Sequence, residues 1–387
     1  MPNGKKISRN VFFLGLTSFF NDWSSEMIFP ILPAFMAEIL GIPKSLIGII
    51  DGVSESLASI LKVFSGYLSD RLGKRKNLAV FGYSLSTILK PLLAFAQSWL
   101  AVFSVRVGDR IGKGIRTAPR DALIAASVDS KKRGRSFGFH RAMDTLGALF
   151  GTLTTFILMK YILGPQSHRT IFALSIIPAV VGVMFIIFGA KDTKTVTPGE
   201  KPKLSWKTLP KNLRVLIVAT FIFGIGNYTF TFFLLRIRTM GIAMAIVPLV
   251  YLLYNVVYSA VSYPAGILSD KIGKRTVYAI GLGMYILTAL GMAFFNSPTW
   301  AWILMASYGL HMGLTNATAR ALVSDLAPEE IRGTALGIYH TGIGIADLPA
   351  GLLAGFLWQL YSPKVVFSVG AILATVSLLI ILTIKEK

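Results

Sequence analysis

Eight carboxylates interrupt otherwise apolar stretches of this 387-residue chain: Asp22, Glu26, Asp51, Glu55, Asp109, Asp121, Asp144 and Asp347. A charged side chain at mid-membrane costs about 2.5–3.5 kcal/mol on insertion scales, so each is a candidate for holding or moving an ion. Asp22 with Glu26, Asp51 with Glu55, and His140 with Asp144 are spaced i,i+4, which stacks each pair one turn apart on a helix. Seven of the eight acids precede residue 150, so ion coupling is expected in the N-terminal half. Arg106, Asp109, Arg110, Lys113, Arg116 and Arg120 follow in one segment. On a helix they occupy about 120° of arc and reach about 21 Å along the axis. Such a face cannot lie against lipid; it must line an aqueous cavity or meet acids on neighbouring helices. Asp22 or Glu26 is expected to pair with Arg110. Protonation of one acid among Asp22, Glu26, Asp51, Glu55 and Asp144 would then release that pairing and couple proton movement to the chain.

The C-terminal half offers hydrogen-bonding and aromatic groups instead: Asn227, Tyr228, Tyr251, Asn255, Tyr258, His311, Asn316, Arg320, His340 and Asp347. With Arg106 and Arg110 they suit a small polar-aromatic or amphipathic ligand. Tyr251, Asn255 and Tyr258 share a helix face at i, i+4, i+7, a spacing that serves packing equally well. Asp22, Glu26, His140 and Asp144, or His340 with Asp347, have donors suited to a divalent cation. There is no cysteine, no histidine-rich tract and no HxxxH, so no metal site and no cofactor are assigned. No GxxxxGK[ST] phosphate loop is present, which speaks against ATP-driven pumping. Ser24 and Ser25 beside Glu26 are the sole hint of a nucleophile for a lipid-modifying enzyme, and the chain is read as a non-enzyme.

The elements that must position these residues follow from composition. Hydrophobic residues make up 53% of the chain and charged residues 15%, well below the roughly 25% charged of soluble domains. Apolar runs recur, and an all-α integral membrane protein with twelve spans is predicted over 11–37, 45–68, 77–96, 99–126, 136–162, 170–190, 214–238, 242–268, 276–296, 299–325, 334–360 and 364–384. The proline- and lysine-rich stretch 191–213 reads as a linker between an N-terminal six-helix bundle, 1–190, and a C-terminal one, 214–387. The formal charge of +21 collects at alternate loops, which places both termini and the linker on the cytoplasmic side and makes nucleic acid an implausible partner. The first apolar run is too long for the core of a cleaved signal.

The halves repeat each other. Gly66–Arg75, GYLSDRLGKR, returns as Gly266–Arg275, GILSDKIGKR, and Arg133-Gly134-x-x-Phe137-Gly138 returns as Arg332-Gly333-x-x-Leu336-Gly337. Asn21 has a counterpart in Asn227. On these residues the sequence resembles the major facilitator superfamily across essentially its whole length. That family's loop motif stands here as Gly66, Leu68, Asp70, Arg71, Gly73, Lys74 and Arg75, and again as Gly266, Leu268, Asp270, Lys271, Gly273, Lys274 and Arg275. Arg110-x-x-Lys113-Gly114 is similar to its fourth-helix motif, and Pro30-x-x-Pro33 to a motif of twelve-span drug:proton antiporters. Gly138, Gly147 and Gly151 fit part of the antiporter glycine pattern, but Thr152, Thr155 and Phe156 depart from it. The resemblance implies alternating access by two bundles rocking about a central site, with the Asp70 and Asp270 loops latching the cytoplasmic side. Proton-coupled export of a small organic solute by a monomer in the cytoplasmic membrane is the first expectation. Proton-coupled uptake or exchange of an organic anion is the second, and a divalent-metal exporter the third.

Overall fold

A computed structural model describes residues 7–72, 75–128, 133–164, 166–192, 209–328 and 331–384. Among them the chain is all-helical, without a strand. In chain order the segments are α1 (Arg9–Ile28), α2 (Lys44–Leu72), α3 (Arg75–Phe95), α4 (Trp99–Ala126), α5 (Arg133–Ile162), α6 (His168–Gly189), α7 (Lys211–Thr239), α8 (Met244–Ile272), α9 (Lys274–Phe294), α10 (Pro298–Leu326), α11 (Arg332–Leu360) and α12 (Pro363–Leu382). Eight of them, α3, α5–α9, α11 and α12, are by length and composition long and apolar enough to cross a membrane. The other four carry much of the polar chemistry: Asp22 and Glu26 on α1, Asp51 and Glu55 on α2, the basic stripe on α4, and His311, Asn316 and Arg320 on α10. The linker lies mostly outside the described residues, as do Gly73 and Lys74 of the first loop motif.

Local chemistry sets the ends. Ser8, Ser98 and Ser362 cap α1, α4 and α12 by accepting the backbone N–H of Val11, Ala101 and Val365, which satisfies an orphan donor of the first turn. The predicted first span is interrupted after Ile28, because Pro30 and Pro33 remove donors from the ladder. The chain resumes through Leu32–Ala34 and a wide turn over Phe35–Ile39. Gly41 and Gly241, 200 positions apart, both take positive φ, 62° and 94°. A side chain would be strained there.

The chain divides into two compact units. One comprises the described residues of Met1–Phe35 and Leu57–Glu200; the other those of Met36–Ser56 and Lys201–Lys387. In the first, α1 packs on α5 and α6, and α3 on α4; in the second, α7 packs on α11 and α12, and α9 on α10. The two pairing schemes are the same six helices apart. The sequence repeat thus extends to close-packing positions. A Cβ on Gly114 would meet Leu61 and Ala58, while one on Gly313 would meet Val261 and Tyr258. Likewise Gly82 lies against Arg116, and Gly281 against Thr315.

Candidate functional site

In the first unit, α1, α3, α4 and α5 bring together a polar cluster. α4 presents Arg106, Asp109, Arg110 and Arg116, each no more than 9% exposed. Arg110 donates to its neighbour Asp109 at 3.3 Å, and Asp109 also lies in the field of Lys90, Arg116 and Arg106. Arg116 donates to Ser86 Oγ at 2.6 Å and stands 4.7 Å over the Tyr83 ring. One turn on, Arg120 pairs with Asp121 at 2.8 Å and donates to Ser18 of α1 at 3.4 Å. Asp22 accepts from Asn21 Nδ2 at 3.1 Å and interacts electrostatically with Asp144, Arg116, Lys113 and Arg120. His140 and Asp144 pair within α5 at 3.5 Å. Glu26 sits where α1 crosses Gly151 of α5.

Lys90 escaped the sequence reading, which weighed acids and the α4 stripe. It is 4% exposed where α3 tightens into a 3₁₀ turn ahead of Pro91. Its ammonium donates to Ser25 Oγ at 3.0 Å and to the Asn21 carbonyl at 3.4 Å. A lone lysine inside an apolar run was the available signal. Ser25 is therefore engaged by Lys90 and by the Asn21 carbonyl, and Ser24 is fully buried. Among the described residues, no three His, Asp or Glu side chains converge in a way that could hold a metal ion.

The second unit carries the other candidates, and Asp51 falls here. Asp51 is 1% exposed and accepts from Thr229 Oγ1 at 3.3 Å. Thr229 follows the break in α7 at Asn227 and Tyr228 and precedes the helical stretch Phe230–Thr239. A carboxylate at that N-terminal end favourably meets the helix dipole. Glu55 lies one turn further along α2. Beside the break, Tyr308 donates to Asn227 Oδ1 at 3.0 Å, and Phe230 packs on Tyr251 and Tyr254 with ring centroids 5.0 and 4.7 Å apart. Tyr254 stacks on Tyr258, whose hydroxyl accepts from Asn316 at 3.3 Å. Tyr254 and Tyr308 were not singled out from sequence, since tyrosine on an apolar helix carries no distinguishing signal. Asn255 donates to the Tyr251 carbonyl of its own helix at 3.2 Å. His311 is fully buried, joined to the Gly281 carbonyl at 2.8 Å and enclosed by Phe223, Tyr285 and Tyr308. His340 is exposed and Asp347 half-buried on α11.

In the loop motifs, Gly66 approaches Ala118, Arg71 is exposed and Arg75 is buried; the Asp70 side chain lies outside the described residues. In the second copy Gly273 takes φ 93°, Asp270 and Lys271 are exposed, Lys274 pairs with Asp325, and Arg275 donates to the carbonyl of Ile384.

A further pair was not anticipated. Glu38 and Arg238 occupy equivalent positions of the repeat, 200 residues apart, and form a two-pronged ion pair at 2.8 and 2.7 Å. Within the same unit the start of α2 meets α11. A Cβ on Gly48 would stand 2.1 Å from the Gly351 carbonyl, and the Lys44 N–H donates to Gln359 at 3.0 Å. Because Glu38 is solvent-facing, a double-mutant cycle of Glu38→Gln with Arg238→Gln is expected to give a coupling of about 0.5–1 kcal/mol that shrinks with added salt. A coupling that salt leaves untouched would overturn this.

The model of the Major Facilitator Superfamily matches residues 14–346 and 216–387. An uncharacterised MFS-type transporter of Methanocaldococcus jannaschii is 40% identical over 99% of this chain and 96% of its own. The cis,cis-muconate transport protein of Acinetobacter baylyi is 26% identical over 76% of this chain and 74% of its own. Among solved structures, the nucleoside transporter NupG superposes with a TM-score of 0.80 at 14% identity, covering 97% of this chain and 100% of that one.

Proposed function

Since the chain belongs to the Major Facilitator Superfamily, a family of membrane transporters rather than enzymes, we propose that it is a twelve-span secondary transporter that moves a small organic anion together with protons. The buried cationic cluster carries this reading. Lys90, Arg106, Arg110 and Arg116 are each at most 9% exposed, and among the described residues of their unit Asp109 is the one carboxylate buried to that degree. Together with Lys113 and Arg120 these cations outnumber Asp109 and the less buried Asp22, Asp121 and Asp144 around them, which leaves a positive field in a medium of low dielectric that attracts an anion. The half-buried acids Asp22 and Asp144 stand in the same field and are the proton carriers of this proposal. The anion class agrees with the name of the cis,cis-muconate transport protein, whose substrate is a dicarboxylate.

In this reading residues 1–190 and 214–387 are two six-helix bundles, 191–213 is their linker, and both termini are cytoplasmic. The loops of Asp70 and Asp270 latch one access state of a chain that works as a monomer. As in any secondary transporter, gradients set the net direction. Purified protein in liposomes, offered cis,cis-muconate as probe, is expected to take it up in proportion to an imposed pH gradient and to stop when a protonophore is added. Arg110→Gln and Arg116→Gln are each expected to weaken anion affinity roughly 10–100-fold, the worth of a charge-assisted hydrogen bond of about 1.5–3 kcal/mol. Transport of organic cations with no response to dicarboxylates would overturn the anion reading.

A further inference from the structure

On the outer side of the first unit, α1 and α6 enclose a groove of about 320 Å³ lined by Phe13, Val181, Met184, Phe185, Phe188 and Gly189. That is near the small end of the roughly 300–1,000 Å³ range of ligand sites. Val181, Met184, Phe185 and Phe188 follow i, i+3, i+4, i+7 and so form one stripe about 10 Å long on α6. Phe188 is 75% exposed. Gly189 lets the Phe13 ring lie directly on the helix, since a Cβ there would stand 2.1 Å from that ring.

The groove ends among cations. The Arg9 guanidinium lies 5.6 Å from the Phe13 ring centroid. Asn10 and Lys191 exchange two hydrogen bonds of 2.9 Å, fixing the exposed Lys191 beside the start of α1. Lys76 donates its ammonium to the Ile187 carbonyl at 2.7 Å, at the same end of α6. Among the described residues an acid also lies at this end, Asp192, whose carboxylate accepts the Lys76 backbone N–H at 3.4 Å.

We infer that this groove is a binding site for an anionic phospholipid, with one acyl chain along the α6 stripe and the phosphate between Arg9 and Lys191. Among the described residues, an apolar slot closed at the interface by Arg9, Lys76 and Lys191 with Asp192 complements an amphiphile with a negative head, and a zwitterionic lipid would lack the net charge to match. The site rests on the membrane placement of α1 and α6 and is independent of what the chain transports.

The test is native mass spectrometry of the full chain released from mixed micelles of phosphatidylglycerol and phosphatidylcholine. The wild type is expected to retain phosphatidylglycerol at least fourfold over phosphatidylcholine. Arg9→Gln with Lys191→Gln should reduce that preference below twofold, and Val181→Trp, which fills the groove without changing charge, should reduce the bound lipid count by one. Arg133→Gln with Arg135→Gln removes the same charge elsewhere and should retain the fourfold preference. Equal retention of both lipids, an equal effect of the Arg133/Arg135 pair, unchanged lipid retention in Val181→Trp, or a dimer that Val181→Trp dissociates would each overturn the assignment. None of these outcomes bears on the anion transport assay, so the two readings fail separately.

Discussion

Asp109→Asn is expected to destabilise the protein by about 3–5 kcal/mol, the cost of breaking a buried ion cluster by removing one partner. Asp109 is 6% exposed and stands in the field of Arg110, Lys90, Arg116 and Arg106. Asparagine keeps its shape and removes the most buried negative charge among these cations, leaving Asp22 alone to offset part of the repulsion between Lys90 and Arg116. Two consequences distinguish this from a packing defect. Adding Lys90→Met should restore at least half of the loss, because it removes a buried cation while keeping an unbranched side chain of similar bulk. The variant should also gain more thermal stability than the wild type from a bound dicarboxylate, since the ligand supplies the missing charge. Denaturant titration and thermal unfolding in detergent read both. A stability unchanged by Asp109→Asn, or a loss that Lys90→Met deepens, would remove the electrostatic argument.

Gly351→Ala is expected to cost about 1–3 kcal/mol, the range of overpacked interiors, and to slow transport about tenfold or more. The added methyl would stand 2.4 Å from the Gly48 carbonyl and 2.9 Å from the Gly52 Cα. Those atoms are backbone, so α2 and α11 must separate. Gly342→Ala on the same helix is the control. Its methyl would come no nearer than 3.9 Å to Ile217, so the higher helix propensity of alanine should leave it neutral or up to about 1 kcal/mol more stable. Equal behaviour of the two alanine variants in unfolding and transport assays would show that the α2–α11 contact carries no weight.

Much of the fold was legible because membrane burial imposes strong rules on sequence. Apolar runs, the charge bias of the loops and the duplicated GYLSDRLGKR and GILSDKIGKR segments point to an all-helical membrane protein of this family. The α4 stripe was legible for the same reason: charge is costly in lipid, so its periodicity names a face that must find polar company. Which company it finds was not legible. Asp51 was grouped with the N-terminal acids by chain position, yet it meets Thr229 at the α7 break, because the start of α2 packs with the second unit. Ser86 and Tyr83 are ordinary letters in an apolar α3 and join the cluster, beside the lone lysine Lys90, because Gly82 lets α3 approach α4 at Arg116. The pairing of Glu38 with Arg238 depends on two short connections that each turn at a positive-φ glycine. The sequence alone determined which side chains could not face lipid, since that follows from solvation of each residue by itself. Only the tertiary structure decided which of them meet, since that depends on helix rotation and on distances set by glycines far apart in the chain.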